Sequence, residues 1–250
     1  MDLLANDDLP VKTGEVHNHH QDSTVWNGFP FRNDDIIIST YAKSGTTWMQ
    51  QIVGQLTQRG RPTVNVANLS PWVELRMVPR EVMLQMLESQ RNRRFMKTHL
   101  PVDALTWSSD VKYIFLARDA RDMIWSLHHH LSEATPTFWS MINDTPGRKD
   151  LAHEMRRIAD FLDIRDLSED EWKASVEHSS FNWMKEHAEL ACPEVVAQKI
   201  NGGAKSFINK GTNGRWADVI SDEDNLRYLN KAKKELGEEC ANWLEKARMP

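Results

Sequence analysis

Three short clusters hold the residues whose types and spacing allow chemistry on an anion. The first is Lys43-Ser44-Gly45-Thr46-Thr47-Trp48. Gly45 lets a ligand approach the backbone closely, Ser44, Thr46 and Thr47 bring hydroxyl donors, and Lys43 brings a mobile positive charge. A helix that starts in this loop adds unpaired N–H groups and the positive end of its dipole. The second cluster, Lys97-Thr98-His99, sets an ammonium beside an imidazole that titrates near neutrality and suits a general base. The third is Arg118, with Ser126 further along the chain.

These clusters are useful together only if the chain brings them to one place. Asp34-Asp35-Ile36-Ile37-Ile38-Ser39-Thr40 reads as a strand buried on both faces, because its β-branched run does not alternate with polar residues. Thr46 to Arg59 follows as a helix, with Trp48, Ile52, Val53 and Leu56 on one face and Gly60 as the stop. Arg94–Thr98 and Lys112–Ala117 are two further strands. Arg80–Arg91, the stretch from Asp122, Leu151–Leu162, Glu169–Val176 and Asp222–Arg248 read as helices, the last as one charged C-terminal helix. The fold class is α/β: three layers, a P-loop-like, mostly parallel sheet flanked by helices. Three strands are few for this length, so the sheet is expected to be short of a strand. In such sheets ligands bind at the carboxyl ends of the strands, where all three clusters stand.

Bulk properties narrow the class. The chain has 250 residues, 31 basic and 36 acidic, for a formal charge of −5. That balance argues against a nucleic-acid or membrane-surface partner. Two cysteines, Cys192 and Cys240, suggest neither a disulfide framework nor a zinc site. The N-terminus lacks the pattern of a signal peptide and no apolar run reaches spanning length, so a cytoplasmic setting is expected. Residues 1–33 read as a polar N-terminal arm and 34–250 as one domain. His17, His19 and His20 near Asp22 are expected to be solvated rather than metal-bound, and His128-His129-His130 point apart on a helix. No metal is expected.

The first loop lacks the Gly-Lys-Ser/Thr order of a magnesium-dependent P-loop NTPase. Tyr41-Ala42-Lys43-Ser44-Gly45-Thr46-Thr47-Trp48 instead resembles the 5′-phosphosulfate loop of the cytosolic-type sulfotransferases, in their bacterial-like aryl/alcohol branch. These use 3′-phosphoadenosine 5′-phosphosulfate (PAPS). Further segments are similar in the same order: Pro30-Phe31-Arg32 with Asp34-Asp35-Ile36, Lys97-Thr98-His99-Leu100-Pro101, Arg118 with Ser126, Ser179-Ser180-Phe181 with Met184-Lys185, and Asn209-Lys210-Gly211 with Gly214-Arg215-Trp216. The resemblance implies PAPS as sulfuryl donor, 3′,5′-ADP as product and a small, apolar acceptor with a hydroxyl or amine. His99 would be the general base. Lys43 would stabilise the leaving phosphate, Lys97 the sulfuryl oxygens, and Ser126 would restrain Lys43. Lys43 to Trp48, Arg118, Ser126, Phe181, Asn209, Lys210 and Gly211 would bind the nucleotide. Trp72, Met77, Phe138 and Trp139 are candidates for the acceptor pocket.

The pattern also departs from the family. Between Ser126 and Glu154 the chain is too short for the strand that members carry there, which points to an internal deletion. Asn209 stands where many members have arginine, and the residues from Ala217 do not match the dimer motif of animal members, so oligomeric state stays open. A catalytically impaired nucleotide-binding or interaction protein is the alternative expectation, and a P-loop kinase-like phosphotransferase the third.

Overall fold

The computed structural model describes residues 9–18, 21–133, 151–192, 194–198, 200–208 and 214–246. His19, His20, Phe138, Trp139, Asn209, Lys210 and Gly211 lie outside them, as does most of the interval from Ser126 to Glu154. In chain order the elements are β1 (Ile36–Thr40), α1 (Thr46–Thr57), α2 (Val66–Leu69), α3 (Arg80–Glu88), β2 (Phe95–Thr98), β3 (Lys112–Leu116) and α4 (Ala120–Glu133). There follow α5 (Leu151–Phe161), α6 (Glu169–His178), α7 (Phe181–Glu186), α8 (Ala188–Ala191), α9 (Glu194–Ala197), α10 (Gly203–Phe207), α11 (Asp222–Leu236) and α12 (Glu238–Lys246).

The described strands form one parallel sheet in the order β2-β1-β3. Ile38 pairs with Lys97 on one side and Ile114 on the other, so the three carboxyl ends fall level. All five residues of β1 are buried, as a central strand covered on both faces requires. Its side chains divide between two cores. Ile36 and Ile38 pack with Ile52, Val53 and Leu56 of α1, Met155 of α5 and Trp172 of α6. Ile37 packs on the opposite face with Trp26, Met83, Leu87 and Met96. This is the expected three-layer α/β arrangement with a short sheet.

Val16, Val25, Trp26, Phe29 and Phe31, within the stretch 1–33 read from sequence as a polar arm, enter the second core. Trp26 is fully buried, and its ring lies 4.7 Å from Phe29 and 6.2 Å from Phe31. Thr13 and Gly14 donate to the Asp103 carbonyl at 2.8 and 3.0 Å. A few aromatic anchors thus outweigh the polar composition around them, each burying a large area. Asp35 and Arg94 tie this segment to the sheet: they meet at 2.5 Å, both almost fully buried, and Arg94 also donates to the Pro30 carbonyl at 2.7 Å. The expected C-terminal helix is two helices, because Gly237 takes φ +79° and ends α11.

Candidate active site

The loop between β1 and α1 is built for an anion. Lys43, Ser44, Thr46 and Thr47 are all buried, and Gly45 caps α1 at φ +97°. No side chain occupies the cap of this 12-residue helix, so its first N–H groups point into the loop. Lys43 itself sits at φ +71°. A residue with a Cβ stays in that conformation only where its surroundings over-determine it. Arg118, just beyond β3, supplies one such restraint by donating to the Lys43 carbonyl at 3.0 Å. Two of the three clusters are therefore in direct contact.

His99 joins them through the end of β1. Its Nδ1 lies 2.8 Å from the Thr40 carbonyl and 3.2 Å from Thr40 Oγ1, which in turn is 2.6 Å from Thr46 Oγ1. A carbonyl only accepts, so Nδ1 carries the proton and the neutral ring keeps its lone pair on Nε2. That is the tautomer a general base needs. Trp72 stands edge-on to the imidazole at 4.8 Å. The segment Pro71–Val73 runs beside β2: Lys97 N–H donates to the Pro71 carbonyl at 3.1 Å and Val73 N–H to the Lys97 carbonyl at 3.2 Å. Lys97 is partly buried, and this pushes its ammonium down to about 8, against a smaller opposing pull from Glu74.

The nucleotide-binding candidates on the helical side are also close-knit. Trp48 Nε1 donates to the Ser179 carbonyl at 3.0 Å, and Gln51 Nε2 to the His178 carbonyl at 2.8 Å. These bonds hold the start of α7, and hence Phe181, against α1; Lys185 Nζ lies 5.8 Å from the Phe181 ring centre. Ser126 is partly exposed on α4. One turn before it, buried Asp122 accepts from Gly214 N–H with both oxygens at 2.9 Å. Arg121 stacks on Trp216 at 3.8 Å and Tyr228 at 4.7 Å.

Of the pocket candidates, Trp72 faces His99, whereas Met77 is about half exposed. His128 is exposed and stacks on Trp125 at 5.4 Å. Among the described residues, no group of three or more His, Cys, Asp or Glu could hold a metal ion, and no helix is long and apolar enough to cross a membrane. Sequence reasoning missed Thr40, Asp122 and Glu74. Glu74 is the most consequential of these, since its Oε1 accepts from the His99 backbone N–H at 2.7 Å. The only available signal was an acidic residue two places after Trp72.

Comparison with known proteins bears on this arrangement. The chain matches the family model described as the sulfotransferase domain over residues 33–144 and 148–239. Sulfotransferase 1C2 of Rattus norvegicus is 25% identical over 280 residues, covering 94% of this chain and 93% of that protein. A glycolipid sulfotransferase of Mycobacterium tuberculosis is 38% identical over 107 residues, covering 42% of this chain and 33% of that protein. Among solved structures, a mouse sulfotransferase complexed with PAP aligns with a TM-score of 0.63 at 18% identity, over 88% of this chain and 91% of that one. Retinol dehydratase in complex with retinol and PAP aligns with a TM-score of 0.64 at 22% identity, over 85% and 84%. At these identities the structural likeness speaks to the fold.

Proposed function

The chain belongs to the sulfotransferase domain family, and from that premise we propose that it transfers a sulfuryl group from PAPS to a hydroxyl or amine of a small, apolar acceptor. The observation that carries this reading is the convergence at the strand ends. A buried loop capped by left-handed Gly45, the Arg118 guanidinium bonded to that loop, and a His99 imidazole oriented by Thr40 all lie at one edge of the sheet. The fit to a phosphosulfate rests on the same donors: a helix N-terminus without a side-chain cap, three hydroxyl residues and the cations Lys43 and Arg118.

Sulfuryl transfer, like phosphoryl transfer, depends chiefly on positioning and on neutralising charge. PAPS supplies the sulfuryl group and leaves as 3′,5′-ADP. His99 Nε2 takes the acceptor proton as the acceptor attacks sulfur and the bond from sulfur to the bridging phosphate oxygen breaks. Lys43 and the first N–H groups of α1 stabilise the charge on the departing phosphate, and Lys97 that on the sulfuryl oxygens. Arg118, Ser126, Asn209, Lys210 and Gly211 hold the 3′-phosphate; Trp48 and Phe181 border the adenine.

Calorimetry with 3′,5′-ADP, joined to a sulfuryl-transfer assay over phenol, alcohol and amine acceptors, tests the reading. Binding with turnover is expected. His99→Ala should lose ~10²–10⁴-fold in kcat with 3′,5′-ADP affinity unchanged; full turnover in that variant removes His99 as the base. Magnesium-dependent ATP binding with indifference to 3′,5′-ADP would favour a kinase-like phosphotransferase instead.

A second reading, an impaired nucleotide-binding protein, is favoured by one observation. Among the described residues β3 is an outer strand, and its Phe115 is 62% exposed. The 280-residue alignment to Sulfotransferase 1C2 exceeds the 250 residues of this chain, so the relative has positions with no counterpart here. Binding of 3′,5′-ADP without turnover would support it.

A further inference from the structure

Glu74 has no part in the reaction proposed above, yet it sits under it. Its side chain is 1% exposed. Oε1 accepts from Trp72 Nε1 at 2.5 Å and from the His99 backbone N–H at 2.7 Å, and Oε2 accepts from Trp26 Nε1 at 3.1 Å. The backbone is fixed as well, since Asp22 N–H donates to the Glu74 carbonyl at 2.9 Å. A carboxyl ringed by three N–H donors is served best as a carboxylate, which can only accept. Because Pro71–Val73 runs along β2, the charge also lies within reach of Lys97.

We propose that Glu74 is a positioning residue for sulfuryl transfer: one buried carboxylate fixes the backbone of His99, sets the Trp72 indole edge-on to the imidazole, and provides the counter-charge that keeps Lys97 protonated. The inference rests on the reading of His99 and Lys97 given above. Burial pushes the Glu74 carboxyl up even with its three donors in place, and pushes the Lys97 ammonium down to about 8 even with Glu74 nearby; the donors oppose the first shift and the Glu74 charge the second. Cys192 is the other titratable group near Lys97. Burial pushes its thiol up to about 12, so it remains neutral through the working range. Glu74 is thus the charge that Lys97 senses.

The test is Glu74→Gln, which keeps the shape and one acceptor oxygen but removes the charge. With the counter-charge gone Lys97 deprotonates more readily, so the alkaline limb of the pH profile of kcat/KM should move down by roughly one unit. The kcat should fall by ~10-fold while 3′,5′-ADP affinity stays within about twofold. A lowered melting temperature with an unmoved alkaline limb would mean a merely structural glutamate and would overturn the proposal. Lys97 is also titrated directly by ¹³C NMR after reductive methylation, with its resonance assigned by Lys97→Arg. If the wild type binds 3′,5′-ADP without turnover, the functional reading fails separately, and this titration still decides the case: a lower Lys97 pKa in Glu74→Gln upholds the counter-charge, an equal one sinks it. If Glu74→Gln does not fold, Glu74→Asp keeps the charge on a shorter stem. It should retain the Lys97 titration, shift the His99 ring resonances and lower kcat; wild-type kcat and ring shifts there would overturn the proposal.

Discussion

Lys97 contributes to folding with a sign opposite to that of most paired charges. Its ammonium titrates at about 8 in the folded chain against an ordinary value of 10.5. Below pH 8 it is protonated in both states and its burial penalty is constant. Between 8 and 10.5 the unfolded chain binds more protons than the folded one, so stability contributed by this group rises with pH. Lys97→Met removes the effect. The stability of the wild type relative to that variant should therefore be flat below pH 8 and climb in favour of the wild type up to about pH 10.5. Urea unfolding of both proteins at steps from pH 7 to 10 measures this directly, and a flat difference throughout would contradict it. Tyr113, pushed up to about 12 by burial, pushes total stability the other way at high pH but is common to both proteins and cancels.

The loop entering α1 shows how one backbone conformation serves a whole element. A Cβ on Gly45 would find its nearest neighbour, Leu116 Cδ2, at 4.0 Å, so space is available. The obstacle is φ +97°, which costs a residue with a side chain about 1–2 kcal/mol. Gly45→Ala should lose about that much stability by chemical denaturation and bind 3′,5′-ADP more weakly, because the first N–H groups of α1 turn with the loop. This loop and its flanking strand were legible in the sequence because their signals are local: a β-branched run, a Ser-Gly-Thr turn and an apolar helix face lie within about 25 residues. Glu74 was not legible. Its partners Trp26 and His99 are far away in sequence, and an acid in a loop-rich stretch looks solvated. The aromatic anchors Trp26, Phe29 and Phe31 follow neither helical nor strand spacing, so periodicity gave them no weight. Gly237 was passed over because a single glycine within a charged helical pattern is often tolerated.

A buried ion pair, Arg94 with Asp35, ties the irregular chain before β1 to the sheet. Such pairs add little net stability, but removing one partner strands a charge. Arg94→Met alone should cost about 3–5 kcal/mol, whereas Arg94→Met with Asp35→Leu should recover much of it; equal losses in the single and double variants, read from urea midpoints, would argue that the arginine acts through packing alone. The pair also shows why the two faces of the sheet are not equivalent. The helical face was foreseen from amphipathic patterns. The opposite face is closed largely by irregular chain, which has no period to read.

The bond from Trp26 to Glu74 has a practical consequence for anyone preparing a shorter form of the protein. The family match starts at residue 33, which makes that position the natural place to trim an expression vector. A cut there discards the indole that donates to Glu74 Oε2 and uncovers Ile37, Met83 and Met96. A preparation starting at residue 33 should aggregate or melt earlier than the full chain in a thermal-shift comparison, and any folded fraction should turn over more slowly. Inactivity in such a trimmed sample would then report on the missing indole, not on the chemistry of the domain.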